Sequence, residues 1–355
     1  MADDHRKRLD GLAIQVASQG ASDLHLSVGR RPTLRIAGVL SPLAQEDVLT
    51  PQDTEGMVMA IMSDDQKARL LRDRALDFSY SVEDRARFRA NAFFDRGVLS
   101  AAFRLIPVQI PKLDALNLPT ILADFARRPQ GFFLVVGPTG HGKSTTLAAM
   151  IDVINLERAE HILTIEDPIE YIFADDQSII DQREVRFDTE DFHIGLRSMF
   201  REDVNVGMIG EMRTLETISS AVTAAETGHL IFSTLHTNSA SQTIARIIDP
   251  FPGNQQKQIR IQLAASLLGV FSQRLIPRTS GGLIPAYELL INNSAVANLI
   301  REGRTAEIDV VIETEADQGM MSLNQCLAEL VRKNEISVEN AYKYSIYPKG
   351  LEKLI

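Results

Sequence analysis

Apolar positions change their period along this chain, and each change marks a change of architecture. Near the start, Leu9, Leu12, Ala13, Val16 and Ala17 fall at helical spacing, predicting a helix over 9–18. Gly20-Ala21-Ser22-Asp23 breaks it, and Leu24-His25-Leu26-Ser27-Val28 then alternates as a strand does. Arg31-Pro32 and Gly38 punctuate a second short strand over 33–37. Thr50-Pro51-Gln52-Asp53 is a helix start, with Thr50 as cap and Pro51 in the first turn, for a helix to about residue 62. A further helix over 64–71 leads into strand-like runs at 75–82, 86–94 and 99–105. This arrangement predicts an α+β domain with an antiparallel sheet over residues 1–107.

Pro107, Pro111 and Pro119 then give residues 108–120 the character of a stiff linker. Beyond it, apolar strands at 132–136, 161–166, 206–210 and 229–234 alternate with helical patterns such as 145–154 and 216–227. Strands of that kind, separated by helices, predict an α/β domain over 121–355 whose largely parallel sheet is covered on both faces. Residues 254–274 read as helix, and the chain from 295 onward as mostly helical.

Composition narrows the function. The net charge of −10 and pI near 5.3 carry no electrostatic footprint for nucleic acid, so no nucleic-acid partner is expected. One cysteine, Cys326, makes neither a disulfide framework nor a four-cysteine zinc site, which suits a reducing cytoplasm. The polar N-terminus lacks a signal-peptide core, and no window approaches the ~18 consecutive apolar residues of a membrane span. The expectation is a cytoplasmic protein with no direct membrane insertion, any membrane contact passing through a partner.

Gly137-Pro138-Thr139-Gly140-His141-Gly142-Lys143-Ser144 matches G-x-x-x-x-G-K-[ST], a loop that cradles nucleotide phosphates. Its glycines let backbone N–H groups turn inward, Lys143 adds a positive charge and Ser144 offers a hydroxyl to Mg²⁺. The apolar run 132–136 before it and the helix predicted after it, from Thr145, supply the required strand–loop–helix context.

Three further stations fall at predicted strand ends, where an open α/β sheet places its ligands. Glu166 and Asp167 close one strand before Pro168, and Glu166 is placed to hold a metal-bound water. Glu211 follows Val206-Gly207-Met208-Ile209-Gly210, the Walker B arrangement, where a carboxylate orients or deprotonates the attacking water. His229 and His236 bracket the last strand. His236, between Thr234 and Thr237, is the better candidate for sensing a γ-phosphate; His229 is a second catalytic candidate, although a lone His is as often structural. Arg89 and Arg104, on strands of the first domain, are of the residue type that grips phosphate with a planar fork.

Four motifs in this order resemble the secretion and pilus ATPases, in their PilT/PilU pilus-retraction branch, over nearly the whole chain. The phosphate loop running into Thr145-Thr146 is similar to that family's Walker A, and Thr164-Ile165-Glu166-Asp167-Pro168-Ile169-Glu170-Tyr171 to its aspartate box. Gly210-Glu211-Met212-Arg213 is similar to its Walker B. Ala224-Ala225-Glu226-Thr227-Gly228-His229-Leu230, with Thr234-Leu235-His236-Thr237, is similar to its histidine box. The resemblance implies a PAS-like N-terminal domain and a RecA-like ATPase domain in a homo-hexameric ring, with ATP and Mg²⁺ as cofactors. Gly137 through Thr145 would bind nucleotide, and Ser144, Glu166 and Glu211 would serve the metal and the water. Arg89 and Arg104 match N-terminal-domain arginines that reach the γ-phosphate. The family's hydrolysis turns an inner-membrane platform protein so that pilin returns to the bilayer, which retracts the pilus and drives twitching motility; a paralogous retraction ATPase is a further partner.

Several positions depart from the pattern. His141 stands for the usual Ser and is expected to contribute mainly backbone. Val204-Asn205 replaces Pro-Asp, Gly207 interrupts the Walker B strand, and Thr214 replaces Asp. Ala295-Val296-Ala297-Asn298-Leu299-Ile300-Arg301-Glu302 resembles the retraction signature with an arginine lost at Ala297. These departures keep open an alternative, a PilU-like accessory or weakly hydrolysing ring subunit that supports an active paralogue.

Overall fold

The computed structural model describes every residue except Met1, Ala37, Glu83, Asp84, Pro107 and Val108. The expected strand end at Ala37 and the expected domain end at Pro107 therefore lie outside the described residues. The chain divides into two compact units, Met1–Gln109 with Glu170–Ile172, and Ile110–Ile169 with Phe173–Ile355.

In the first unit, α1 (Ala2–Ser18) precedes β1 (Ala21–Leu26), β2 (Thr33–Ile36) and β3 (Val39–Pro42). Then come α2 (Pro51–Met59), α3 (Asp64–Asp73), β4 (Ala75–Val82), β5 (Ala86–Asp95) and β6 (Val98–Ile106). The strands form one antiparallel sheet in the order β3-β2-β1-β6-β5-β4. Thr50 and Ser63 begin α2 and α3 with complete capping boxes, each side chain accepting the N–H three residues on. Leu9, Leu12, Ala13 and Val16 of α1 are buried with Phe78, Phe88 and Phe103 of the sheet. Strict alternation in β5 buries Ala86, Phe88, Ala90 and Ala92 and turns Arg89 outward.

The second unit begins with α4 (Ile121–Ala126), β7 (Gly131–Val136), α5 (Lys143–Glu157), β8 (His161–Glu166) and β9 (Ile179–Glu184). It continues through α6 (Phe192–Met199), β10 (Val206–Ile209), α7 (Leu215–Glu226), β11 (Leu230–Leu235), α8 (Ala240–Ile248) and α9 (Gly253–Ser266). A hairpin of β12 (Leu267–Pro277) and β13 (Leu283–Ile291) follows, and then α10 (Ser294–Glu302), α11 (Ile308–Thr314), α12 (Leu323–Arg332), α13 (Val338–Tyr344) and α14 (Pro348–Leu351). The sheet order is β13-β12-β7-β11-β10-β8-β9, parallel throughout except at β12–β13. Phe132 to Val136 are wholly buried, as befits a central strand with helices on both faces.

The expected helix over 254–274 is half right. Helix α9 stops at Ser266, and Leu267 to Gln273 enter the sheet beside β7. Gly269 permits the turn-in: a Cβ there would lie 2.6 Å from the Leu290 carbonyl oxygen. Gly207, expected to interrupt its strand, instead pairs in register with Leu163 and Ile231. The space a side chain would take is filled by Met199 and Ile231, whose atoms lie 2.9 Å from the Cβ position.

One buried carboxylate joins the hairpin to α8. Glu288 of β13 accepts the N–H of Ala240 at 2.7 Å, and burial pushes its pKa up to about 7, with Asp309 and Glu313 adding to the rise and the Ala240 bond and Arg274 opposing it. A carboxyl whose folded value is raised favours folding in its protonated form. That contribution is whole below the ordinary value of 4.5 and is lost as pH climbs through about 7. Glu288→Gln keeps an acceptor for Ala240 and cannot ionise. Its urea midpoint is expected to exceed that of the wild type at pH 8, with the difference narrowing toward pH 5; a difference independent of pH would place the ionisation elsewhere.

Candidate nucleotide site

The phosphate loop leaves β7 at Gly137 and closes on α5, whose first residue is Lys143. Gly137, Gly140 and Gly142 take φ values of 142°, 79° and 81°, a region that side chains disfavour. At Gly137 space is also absent, since a Cβ would lie 2.3 Å from the backbone oxygen of Gln273. Gly142 is the N-cap of the fifteen-residue helix α5, whose unpaired N–H groups and dipole create a positive pole at the loop. Lys143 is buried, and its ammonium donates to the carbonyls of Gly137 at 3.0 Å and Pro138 at 2.9 Å. Ser144 and Thr145 stand in the first turn of α5, with Thr139 and Gly140 exposed on the loop crest and Pro138 and His141 half-buried.

The strands beside β7 bring up the other groups. Ile209 of β10 is in register with Ile165 of β8 and Ser233 of β11, and Leu235 with Val136. Glu166, Glu211 and His236, each at or just beyond a strand's C-terminal end, therefore meet at one edge of the sheet with the loop. Glu166 is buried and accepts from Thr164 Oγ1 at 2.8 Å and, more weakly, from Gln182 Nε2 at 3.4 Å. Glu211 Oε1 pairs with Arg213 Nε at 2.8 Å, and its Oε2 lies 3.6 Å from His236 Nε2. The opposite ring nitrogen, Nδ1, lies 3.4 Å from both Thr139 Oγ1 and Lys143 Nζ. His236 thus spans the distance between the phosphate loop and the Walker B carboxylate.

His229 is not brought to this edge. It precedes β11 at the opposite end of the strand, its Nδ1 bonds the Ala224 carbonyl at 3.0 Å, and its ring meets Phe200 edge-on. Those contacts make it a structural residue of the α7–β11 turn. Arg89 and Arg104 belong to the first unit, where they sit directly opposite each other on β5 and β6. Arg104 Nε also binds Asp23 Oδ1 at 2.9 Å.

The departures from pattern have local explanations. Thr214 caps α7 by accepting the Thr217 N–H, the task an Asp there performs. Asn205 accepts the His161 N–H on its side chain and the Leu230 N–H on its carbonyl, tying together the starts of β8 and β11. His141, expected to act mainly through backbone, instead accepts the Leu275 N–H on Nδ1 at 2.9 Å. Sequence reasoning missed Gln273 and Thr146, which bond each other at 2.7 Å beside the loop; 127 positions separate them, and no short motif spans that distance.

The family model described as Type II/IV secretion system protein matches residues 5–346. The type IV pilus retraction ATPase PilT of Pseudomonas aeruginosa is 44% identical over 339 residues, covering 94% of this chain and 97% of that protein. The type IV pilus ATPase PilU of the same organism is 36% identical over 341 residues, covering 96% of this chain and 89% of that protein. A crystal structure of the pilus retraction motor PilT with bound ADP superposes with a TM-score of 0.90 at 46% identity, over 96% of this chain and 97% of that one.

Gly137 offers a test of the loop geometry. With φ at 142° and the Gln273 oxygen 2.3 Å from the added methyl, Gly137→Ala is expected to strain the backbone by ~1–3 kcal/mol. Calorimetric titration with ADP should then give an affinity about five- to 150-fold weaker than wild type. Unchanged affinity would mean that the loop does not need this conformation.

Proposed function

The chain belongs to the type II/IV secretion system protein family as a PilT-like type IV pilus retraction ATPase, and from that premise we propose how its residues divide the work. Its fold is a RecA-like α/β ATPase unit together with a smaller PAS-like α+β unit. The reading is of a Mg²⁺-dependent motor that hydrolyses ATP in a homo-hexameric ring and so powers pilus retraction. The observation that carries the assignment of the site is the position of His236, in reach of Lys143 and Thr139 on one side and Glu211 on the other. That bridge supports reading a γ-phosphate contact and a water-orienting carboxylate within one residue's span.

On nucleotide binding, Lys143 exchanges two carbonyls for phosphate oxygens, so its ammonium then faces an anion instead of neutral acceptors. The loop amides and the start of α5 receive the remaining phosphate charge. Among the described residues no three His, Cys, Asp or Glu side chains form a metal cage. Ser144, Glu166 and Glu211 are oxygen donors, and such a sparse set fits Mg²⁺, which keeps waters and phosphate oxygens and takes few protein ligands. When bound, Mg²⁺ neutralises charge on the β- and γ-oxygens. Glu211, held by Arg213, orients the attacking water, while Glu166 keeps its carboxylate fixed through Thr164. Arg89 and Arg104 are assigned to the terminal phosphate, and residues 108–120 to the linker between the domains. The ring is assigned to the cytoplasmic side of the inner membrane, working on a platform protein and with a paralogous ATPase; no helix among the described residues is long and apolar enough to cross a membrane.

Lys143→Ala and Glu211→Gln are each expected to lower phosphate release at least about 10²-fold, the scale for removing one preorganised electrostatic group. They separate in binding, since Glu211→Gln keeps ATP affinity and Lys143→Ala loses it. Either variant turning over at the wild-type rate overturns the site. A wild-type chain that binds ATP yet hydrolyses no faster than Glu211→Gln would instead favour the accessory subunit.

A further inference from the structure

Strand β12 runs farther than its neighbour β7. Their pairing ends at Ser272 with Val136, after which β7 becomes the phosphate loop while β12 continues to Pro277. On the other side, Leu275 is paired with Pro285 of β13. The Leu275 N–H faces the β7 side, three residues past the last β7 pairing, where the chain has already left the sheet as the loop. A half-buried backbone donor left this way is costly unless an acceptor is found. The acceptor is a side chain of the loop itself: His141 Nδ1 takes the Leu275 N–H at 2.9 Å.

Gln273, buried on the same strand, completes the arrangement. Its Nε2 donates to the His141 carbonyl at 3.0 Å, and its Oε1 accepts from Thr146 Oγ1 of α5 at 2.7 Å. Backbone and side chain of His141 are thus both fastened to β12, and the helix that closes the loop is fastened to the same glutamine. The Gln273 backbone oxygen stands behind Gly137, and its Nε2 lies 2.9 Å from where a Cβ of Gly142 would be. Residues 273–275 bond the loop at His141 and the following helix at Thr146, and pack closely against Gly137 and Gly142.

Given the nucleotide site argued above, on which this inference rests, we propose that His141 is a positioning residue for the nucleotide: its imidazole replaces the missing strand neighbour of Leu275 and so holds the phosphate loop in its binding shape before ligand arrives. The ring accepts on Nδ1 and therefore carries its proton on Nε2, the neutral tautomer. Without this bond the crest must be ordered by the nucleotide itself, and that ordering is subtracted from affinity. The loss falls on binding and not on the chemical step.

The test uses the purified full chain with ADP and Mg²⁺ in a calorimetric titration, and steady-state ATP hydrolysis beside it. His141→Ala is expected to weaken ADP about three- to tenfold, the range for one lost hydrogen bond. KM for ATP should rise by a similar factor, with kcat within about twofold. In His141→Asn, Oδ1 occupies the place of Nδ1 at the same remove from the backbone, so this variant is expected to restore affinity to within about twofold of wild type. His141→Gln carries its acceptor one bond farther out and should not. Restoration by Asn separates a placed acceptor from a general loss of packing. Wild-type affinity in His141→Ala, or equal weakness in the Ala and Asn variants, overturns the proposal and leaves the nucleotide site standing. Absence of ADP binding by the wild type would remove the site itself and the proposal with it.

Discussion

Many backbone N–H groups can converge on one anion only where no side chain stands between them and where the chain is prevented from collapsing into its own hydrogen bonds. The loop 137–144 meets the first condition with glycines at positive φ, and the second by being fastened from outside. Everything else in the second unit follows from holding that loop at the carboxyl edge of a sheet. Its strand order in space, β7, β11, β10, β8, sets out in a row the loop, His236, Glu211 and Glu166, although the sequence carries them in the order 137–144, 166, 211, 236. Parallel pairing in register does this work, because strands that end level present their last residues level.

The charged groups at that edge are held by neighbours on the loop and the strands. Lys143 is buried, and its ammonium donates to two loop carbonyls. Glu211 divides its two oxygens between an arginine and a histidine, so one of them can turn to water while the other stays held. Glu166 is deeper and is steadied by Thr164 of its own strand.

How much of this could be read from the chain depends on where the information lies. Apolar runs such as 132–136 and 161–166 announce central strands, and the motifs at their ends announce the chemistry, because both are local. Strand β12 was hidden since Leu267 to Gln273 are almost continuously buried, and such a run has no period to separate strand from helix. Pro285 disguised β13, yet at the sheet's edge its missing N–H costs nothing. The polar run Ile179–Glu184 hid β9, an edge strand whose residues are exposed or half-buried apart from Glu184. His141 was misjudged because its partner lies 134 residues away, and His229 was overrated because the motif containing it spans both ends of one strand.

The first unit breaks a rule of its own in an instructive place. Across its outer face Arg35, Asp23, Arg104 and Arg89 follow one another on β2, β1, β6 and β5, each cross-strand neighbour of the next. Asp23 stays ionised, burial pushing its pKa up while hydrogen bonds from Ser22 and Arg104 bring it below the usual carboxylate value. Asp77 of β4, bonded by Asn91, adds a second carboxylate two residues along, yet two arginines directly opposite still weaken a sheet. Folding alone gives no reason to set Arg89 against Arg104, where a neutral pair would hold β5 to β6 better.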